Sequence, residues 1–282
     1  MAANEVRLNE ELPLYEVTAH NYAEESSNKI HSDEVAREYG FRGGLVPGVA
    51  VYAYMMHPII ASLGHVWLRG GWMRAKLVNP AYHGEKTRVQ GKVCGVRPLE
   101  IKLEALDPSG KTCGTGSAGM TGTIEPPVGS EYPRCRMPEM DSRAEPRAGA
   151  LKQGRTLGSI EVQLDTKVPE NSFFADLAAN QDIFSGPPAL HHPAFLLHLA
   201  NMMVVGNVAV GPWIHTESEI QHFAPALREK KLEMRGKIAS AFEKRGHEYL
   251  VLDIGVFDEA DRAIAHVMHK AIVRPRAAVA HQ

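Results

Sequence analysis

An α+β fold built twice, each half a curled antiparallel sheet wrapped around a long buried helix, is predicted by three features of this 282-residue sequence. Two apolar segments, Pro47–Gly64 and Pro187–Asn207, open on proline and carry apolar side chains on nearly every face, as a helix does when it must be enclosed. Each is followed by runs in which apolar and polar residues alternate, the period of a half-buried strand. The two sets also echo one another. Pro80 and Pro225, like Gly91 and Gly236, stand 145 residues apart (225 − 80 and 236 − 91), and Lys92-Val93 matches Lys237-Ile238.

In chain order, the first distinctive stretch is SSNKIHSDEVAREYGFRGGLVPG, Ser26 to Gly48. Ser32 is placed to cap a short helix over 33–39, with Asp33 and Glu34 favourable in its first turn and Gly40 as the left-handed stop. The first buried helix follows, with Pro47 at its start and Gly64 past its end. About three long strands are then expected, with ALDPSGK as a polar hairpin turn matched by VFDEADR in the second half. GTGSAG, Gly114 to Gly119, has no helix after it, so it reads as a Gly-rich strand lying close against the buried helix instead of a nucleotide loop.

Residues 126–155 hold five prolines, many charges and little periodicity. They form the expected linker between an N-terminal unit, 1–125, and a C-terminal unit, 156–282. One long buried helix ahead of a curled antiparallel sheet, present twice, is a tandem (double) hotdog. Such units pair edge to edge, so the fused copies predict an internal pseudo-dimer. A homodimer of whole chains is the further assembly considered.

Composition narrows the function. Hydrophobic residues are 44% and charged residues 23%, which is ordinary for a globular protein. Lys and Arg number 31 against 33 Asp and Glu, leaving no basic field for nucleic acid. The first residues, MAANEVRLNEELPLYEV, lack the apolar core of a secretory signal. Val46–Leu63 is interrupted by Pro47, Gly48, His57 and Pro58, which favours a core helix over a membrane span. Three cysteines without C-x-x-C spacing fit reduced thiols and a cytoplasmic location. His192 and His198 are six apart, on different helix faces, and with His191 they make no metal motif, so neither metal nor cofactor is expected. His215 and His222, seven apart in one strand, are expected on opposite faces of the sheet. Met55-Met56 and Met202-Met203 are expected in helix core and tunnel lining.

Asn28, Ile30, His31, Asp33, Ala36, Gly40-Phe41, Gly44 and Gly48 together resemble the signature of the MaoC-like (R)-specific enoyl-CoA hydratases. In that family the run is Asp-x-Asn-Pro-hydrophobic-His, then a short helix ending in Gly-Phe, then a loop to the Gly that opens the buried helix. Three positions depart from it here: Ser26 stands at the family Asp, Lys29 at its Pro, and Pro47 at its His. Glu25, next to Ser26, is the candidate substitute acid.

The resemblance implies a hydratase or dehydratase acting on a 2-enoyl or 3-hydroxyacyl thioester, carried on CoA or on a carrier protein. It implies that His31 deprotonates water, that Asn28 orients it, and that the N–H of Gly48 or Val49 faces the thioester oxygen, with Gly44 and Phe41 beside the substrate. The first N–H groups of a helix lack intrahelical acceptors and favour negative charge, which supports the last role independently. Two alternatives are retained: an acyl-CoA thioesterase of the same fold, and a non-catalytic thioester-binding or scaffold subunit.

Overall fold

The computed structural model of the chain describes residues 6–120, 124–163, 173, 177, 181–184 and 188–276. The N-terminal half contributes β1 (Tyr15–Thr18), a short helix α1 (Asp33–Glu38), the buried helix α2 (Gly48–Leu63), α3 (Trp67–Gly70), and β2 (Gly71–Leu77), β3 (Lys86–Val96), β4 (Leu99–Leu106) and β5 (Thr112–Met120). The C-terminal half contributes β6 (Ile160–Val162), the second buried helix α4 (Pro193–Asn207), and β7 (Ile214–His222), β8 (Leu232–Lys244), β9 (His247–Asp258) and β10 (Ala263–Arg274). Among the described residues each half has four long strands where the sequence pattern suggests about three. The tight turns at Arg97-Pro98 and Arg245-Gly246 split what reads as one alternating run into β3 and β4, and into β8 and β9.

The ten strands among the described residues join one antiparallel sheet in the order β1-β3-β4-β5-β2-β7-β10-β9-β8-β6. The halves meet edge to edge where β2 pairs with β7, from Trp72 opposite Gln221 to Lys76 opposite Glu217. This is the predicted pseudo-dimer, and it removes the exposed edges that β2 and β7 would otherwise present.

The 145-residue repeat extends well beyond the residues that reveal it in the sequence. Leu12 N–H donates to Gly91 O at 2.9 Å, and Leu157 N–H donates to Gly236 O at 2.9 Å. The bond from Asn9 to Val93 recurs from Gly154 to Ile238, and Asn9 and Gly154 both take positive φ, 66° and 79°. Helices α2 and α4 begin 145 residues apart as well (193 − 48). The offset then grows. Asp107 and Asp258 head equivalent turns 151 residues apart (258 − 107), so the β8–β9 hairpin is six residues longer than its counterpart.

Helix α2 is enclosed along its length, with Tyr52, Met55, Met56 and Ile59 fully buried. Each such side chain contributes roughly 1.5–3 kcal/mol of burial. The Gly-rich strand β5 allows this close approach. A Cβ on Gly114 would lie 2.8 Å from Met55 Sδ, and one on Gly116 would lie 3.1 Å from Met55 Cε. Residues 48–70 are long and apolar enough to cross a membrane, but two-thirds of the most apolar window is buried against the rest of the protein.

Two local expectations are corrected. Ser32 occupies the N-cap of α1, but its Oγ donates backward to Lys29 O at 2.9 Å and caps nothing. The same carbonyl accepts the Ser32 N–H at 3.0 Å, which closes the 3-10 turn Lys29–His31, so both Ser32 donors point back to one acceptor. Met202 is 45% exposed, while Met55, Met56 and Met203 are core. It falls on the one outward-facing edge of α4. The Pro-rich segment is also packed down: Ala144 N–H reaches Asn207 O at 3.0 Å, and Tyr132 Oη donates to Asp253 at 2.7 Å.

Candidate active site at the seam of the two halves

Beside the start of α2 lies a cavity of about 250 Å³ whose walls come from both halves. Asn28, His31, Phe41 and Gly48 face it from the N-terminal half, and Trp213 and His215 from the C-terminal half. Among the described residues no Asp or Glu lines it. Its titratable lining groups are His31, His215 and His247. A larger open depression, about 920 Å³, lies over the solvent face of β2–β5 among Arg74, Lys76, Arg88, Lys102 and Glu104. It contains none of the candidate residues, and its charges are the polar side of alternating strands.

The His31 ring is fixed by two contacts. Nδ1 lies 2.7 Å from Leu45 O, and since a carbonyl only accepts, the proton sits on Nδ1. Nε2 therefore carries the lone pair, and the Asn28 amide lies 3.3 Å from it. Burial pushes the His31 pKa below the ordinary imidazole value, and the Leu45 carbonyl offsets this in part. The result is a neutral base with a set tautomer.

Asn28, which is buried, is held from the other half of the chain. Trp213 N–H donates to Asn28 Oδ1 at 3.1 Å, and Asn28 Nδ2 donates to Trp213 O at 3.0 Å. With its remaining hydrogen directed at His31, the amide has the geometry of a clamp on the base, where the sequence resemblance implies a water ligand.

Gly48 opens α2, and among the described residues neither its N–H nor that of Val49 finds an acceptor. The equivalent position in the second half is closed. There Pro193 has no N–H, and His192 Nδ1 accepts from Ala194 N–H at 3.1 Å. Of the two buried helices, α2 alone offers free N–H donors to an anionic oxygen among the described residues.

The other candidates fall around this centre. Phe41 lines the cavity and packs on the small cluster of Ile30, Ala36 and Leu45. Val49 is fully buried behind Gly48. Gly44 stays out of the cavity and abuts the His31 backbone, since a Cβ there would lie 2.1 Å from His31 O. Ser26 donates to Asn28 O at 3.5 Å and does not reach the cavity. Glu25 is exposed and joins no hydrogen bond or ion pair among the described residues.

Sequence reasoning misses two contributors. Trp213 has no local signal, because its role is made by a backbone contact 185 residues away. His215 is misplaced by the strand period: Glu217 pairs with Lys270 but His215 with Ala271, so Thr216 is an extra residue in β7. That bulge reverses the alternation. His215 therefore shares the inner face with Ser218, and both His215 and His222 are buried.

No family profile and no curated protein matches the chain by sequence. Solved structures do. A conserved hypothetical protein from Mycobacterium tuberculosis, described as a double hotdog fold, matches with a TM-score of 0.66 at 15% identity, over 95% of this chain and 97% of that one. A MaoC domain protein from Chloroflexus aurantiacus, assigned as a dehydratase, matches with a TM-score of 0.66 at 9% identity, over 98% and 97%. An acyl-CoA thioesterase II from Mycobacterium marinum matches with a TM-score of 0.53 at 10% identity, over 81% and 89%. At these identities the likeness is one of fold, and the chain is a double hotdog protein.

Proposed function

We propose that this protein is a hydratase or dehydratase of acyl thioesters, adding water across the C2–C3 double bond of a 2-enoyl group or removing it from a 3-hydroxyacyl group. The observation that carries this reading is the His31 ring, held neutral with Nε2 unprotonated, in a cavity lined by Gly48, whose N–H at the start of α2 has no acceptor among the described residues. A cavity of about 250 Å³ is small beside typical ligand pockets of ~300–1,000 Å³. It suits the acyl end of the substrate, with CoA or a carrier arm outside.

The chemistry needs one base. The 3.3 Å contact from Asn28 Nδ2 gives way to the water, and His31 Nε2 takes a proton from it as the water oxygen bonds to C3. The electron pair displaced from the double bond moves to the thioester oxygen, where the Gly48 and Val49 N–H groups stabilise it. The same proton then passes from His31 to C2, and the ring returns to its neutral form. Hydrogen and hydroxyl arrive from one side, so addition is syn. No carboxylate is required, in keeping with a cavity that no Asp or Glu lines among the described residues.

The fold likeness to an acyl-CoA thioesterase II supports one second reading, thioester hydrolysis, in which water activated by His31 attacks C1 and releases the thiol. Incubation with a crotonyl-type thioester separates the two. Loss of the conjugated double bond without free thiol supports hydration, and release of thiol in step with substrate loss supports hydrolysis. Thermal stabilisation by the thioester with no product overturns both and leaves binding alone.

A further inference from the structure

Behind the start of α2 lies a buried polar chain that the proposed reaction leaves unused. His215 Nε2 is 2.7 Å from Ser218 Oγ, and Ser218 Oγ is 2.9 Å from His269 Nδ1. The two imidazoles stack with centroids 4.4 Å apart. Both outer nitrogens, His215 Nδ1 and His269 Nε2, are buried without a hydrogen-bond partner. His269 is wholly enclosed, whereas His215 lines the cavity. Its Nδ1 lies 2.8 Å from the point a Cβ on Gly48 would occupy, so it sits directly beside the helix start.

We propose that His215 is a further hydrogen-bond donor to the thioester oxygen, supplied by the C-terminal half, completing with the Gly48 and Val49 N–H groups the site for the oxygen that becomes negative. The proposal rests on the thioester reading of the cavity.

A serine hydroxyl has one hydrogen to give, so between two rings it donates to one and accepts from the other. If Ser218 donates to His269, then His215 presents a bare lone pair at Nδ1. If it donates to His215 Nε2, the His215 proton moves to Nδ1, and His269 supplies its own Nδ1–H to Ser218. An oxygen acceptor beside Gly48 pairs with the second arrangement and leaves one orphaned atom where there were two. Leaving a buried polar group unpaired is costly, so the ligand selects the donor tautomer. Burial lowers the His215 pKa to about 4, with the Glu217 carbonyl opposing this weakly. The positive end of α2 acts in the same direction. A neutral imidazole at a helix N-terminus is a known way to polarise a carbonyl.

The test compares His215→Asn, whose amide keeps a donor near the Nδ1 position, with His215→Gln, whose amide keeps only the Ser218 contact. Turnover of an enoyl thioester is followed across pH. The expected result is a kcat for His215→Gln lower by about 100-fold, the usual cost of losing one such donor. KM and the acid limb set by His31 stay unchanged, and kcat is partly restored in His215→Asn. Equal kcat losses in the two variants, or a shifted acid limb, would overturn the donor role. Should either variant fail to fold, Ser218→Ala replaces it. It is expected to lower kcat by freeing the tautomer, and an unchanged kcat overturns the proposal. A parent protein that turns over no thioester refutes the functional reading itself, a result distinct from any of these.

Discussion

Asn28 and Trp213 clasp one another across the two halves of the chain: Trp213 N–H donates to Asn28 Oδ1 at 3.1 Å, and the Asn28 amide donates back to Trp213 O at 3.0 Å. One side chain thus satisfies both backbone groups of a distant residue and still reaches His31 Nε2 at 3.3 Å. Asn28→Ala leaves two buried backbone groups unpaired, and the expected loss is about 1–3 kcal/mol in urea unfolding. Asn28→Asp keeps an acceptor for Trp213 N–H but sets a carboxylate beside His31. A nearby negative charge favours the imidazolium. The acid limb of kcat/KM should therefore move to higher pH, and an unmoved limb would argue against His31 as the base.

His31→Ala removes the proposed base while leaving Leu45 O free to take water. Turnover of an enoyl thioester should fall by about 10²–10⁴, with little change in melting temperature. The parent should also lose activity in acid. The ring must be neutral to act, and its pKa in the folded protein lies below the ordinary value because it is desolvated. Activity should accordingly stay level through neutral pH and fall only below about 6.5, the unperturbed value. A limb rising through pH 8 would point to another group.

Restoring the acid at the family position should achieve little. Ser26 is half-buried, and its hydroxyl reaches Asn28 O, away from the cavity wall. Ser26→Asp is expected to leave kcat/KM unaltered, since a carboxylate there does not meet the water that His31 is proposed to activate. A marked gain in hydration would mean that the loop rearranges around the substrate and that the one-base mechanism is incomplete.

Gly48 is constrained from two sides. An added methyl would lie 2.5 Å from Leu77 Cδ1 and 2.8 Å from His215 Nδ1. Gly48→Ala must push the helix start away from β7, at an overpacking cost of typically 1–3 kcal/mol. Both the helix donors and the His215 ring shift, so kcat should drop more than KM rises. A variant with parental kinetics would show that neither group contacts the substrate.

Much of this was legible because duplication is a sequence property. Pro80, Gly91 and Lys92 with their partners 145 residues on expose the repeat, and the pairing of α2 with α4 follows from it. Asn28, His31 and Gly48 were legible because one loop carries all three. What was hidden depends on contacts between distant segments. The Thr216 bulge shows only when β7 is laid against β10, and it places His215 where strict alternation would not. Trp213 acts through its backbone, so its identity carries no message. Ser32 looks like a cap, but its hydroxyl turns back to the Lys29 carbonyl that its own N–H already reaches.

The buried histidines set the response of the whole fold to acid. Burial lowers the pKa of His192 to about 3, of His222 to about 3 and of His215 to about 4, and all three are buried. Unfolded, each titrates near 6.5. Between these values the unfolded chain binds more protons than the folded one, so stability rises with pH and is lost as pH falls below 6.5. At pH 5 the cost is about 2 kcal/mol for each histidine, about 6 in all, against a typical total of 5–15 kcal/mol. Asp253, Asp258 and Glu233, whose pKa values are lowered in the fold, also lose stability in acid. Their window begins only near their unfolded values, about 4. A urea midpoint that falls steeply between about pH 6.5 and 5, with the slope m unchanged, is therefore the expected mark of the histidines. His222→Phe keeps an aromatic ring against Trp67, whose centroid is 5.0 Å away, and removes one titrating group whose Nε2 has no partner. Its midpoint should fall less steeply over that interval, and an identical slope would show that His222 does not titrate on unfolding.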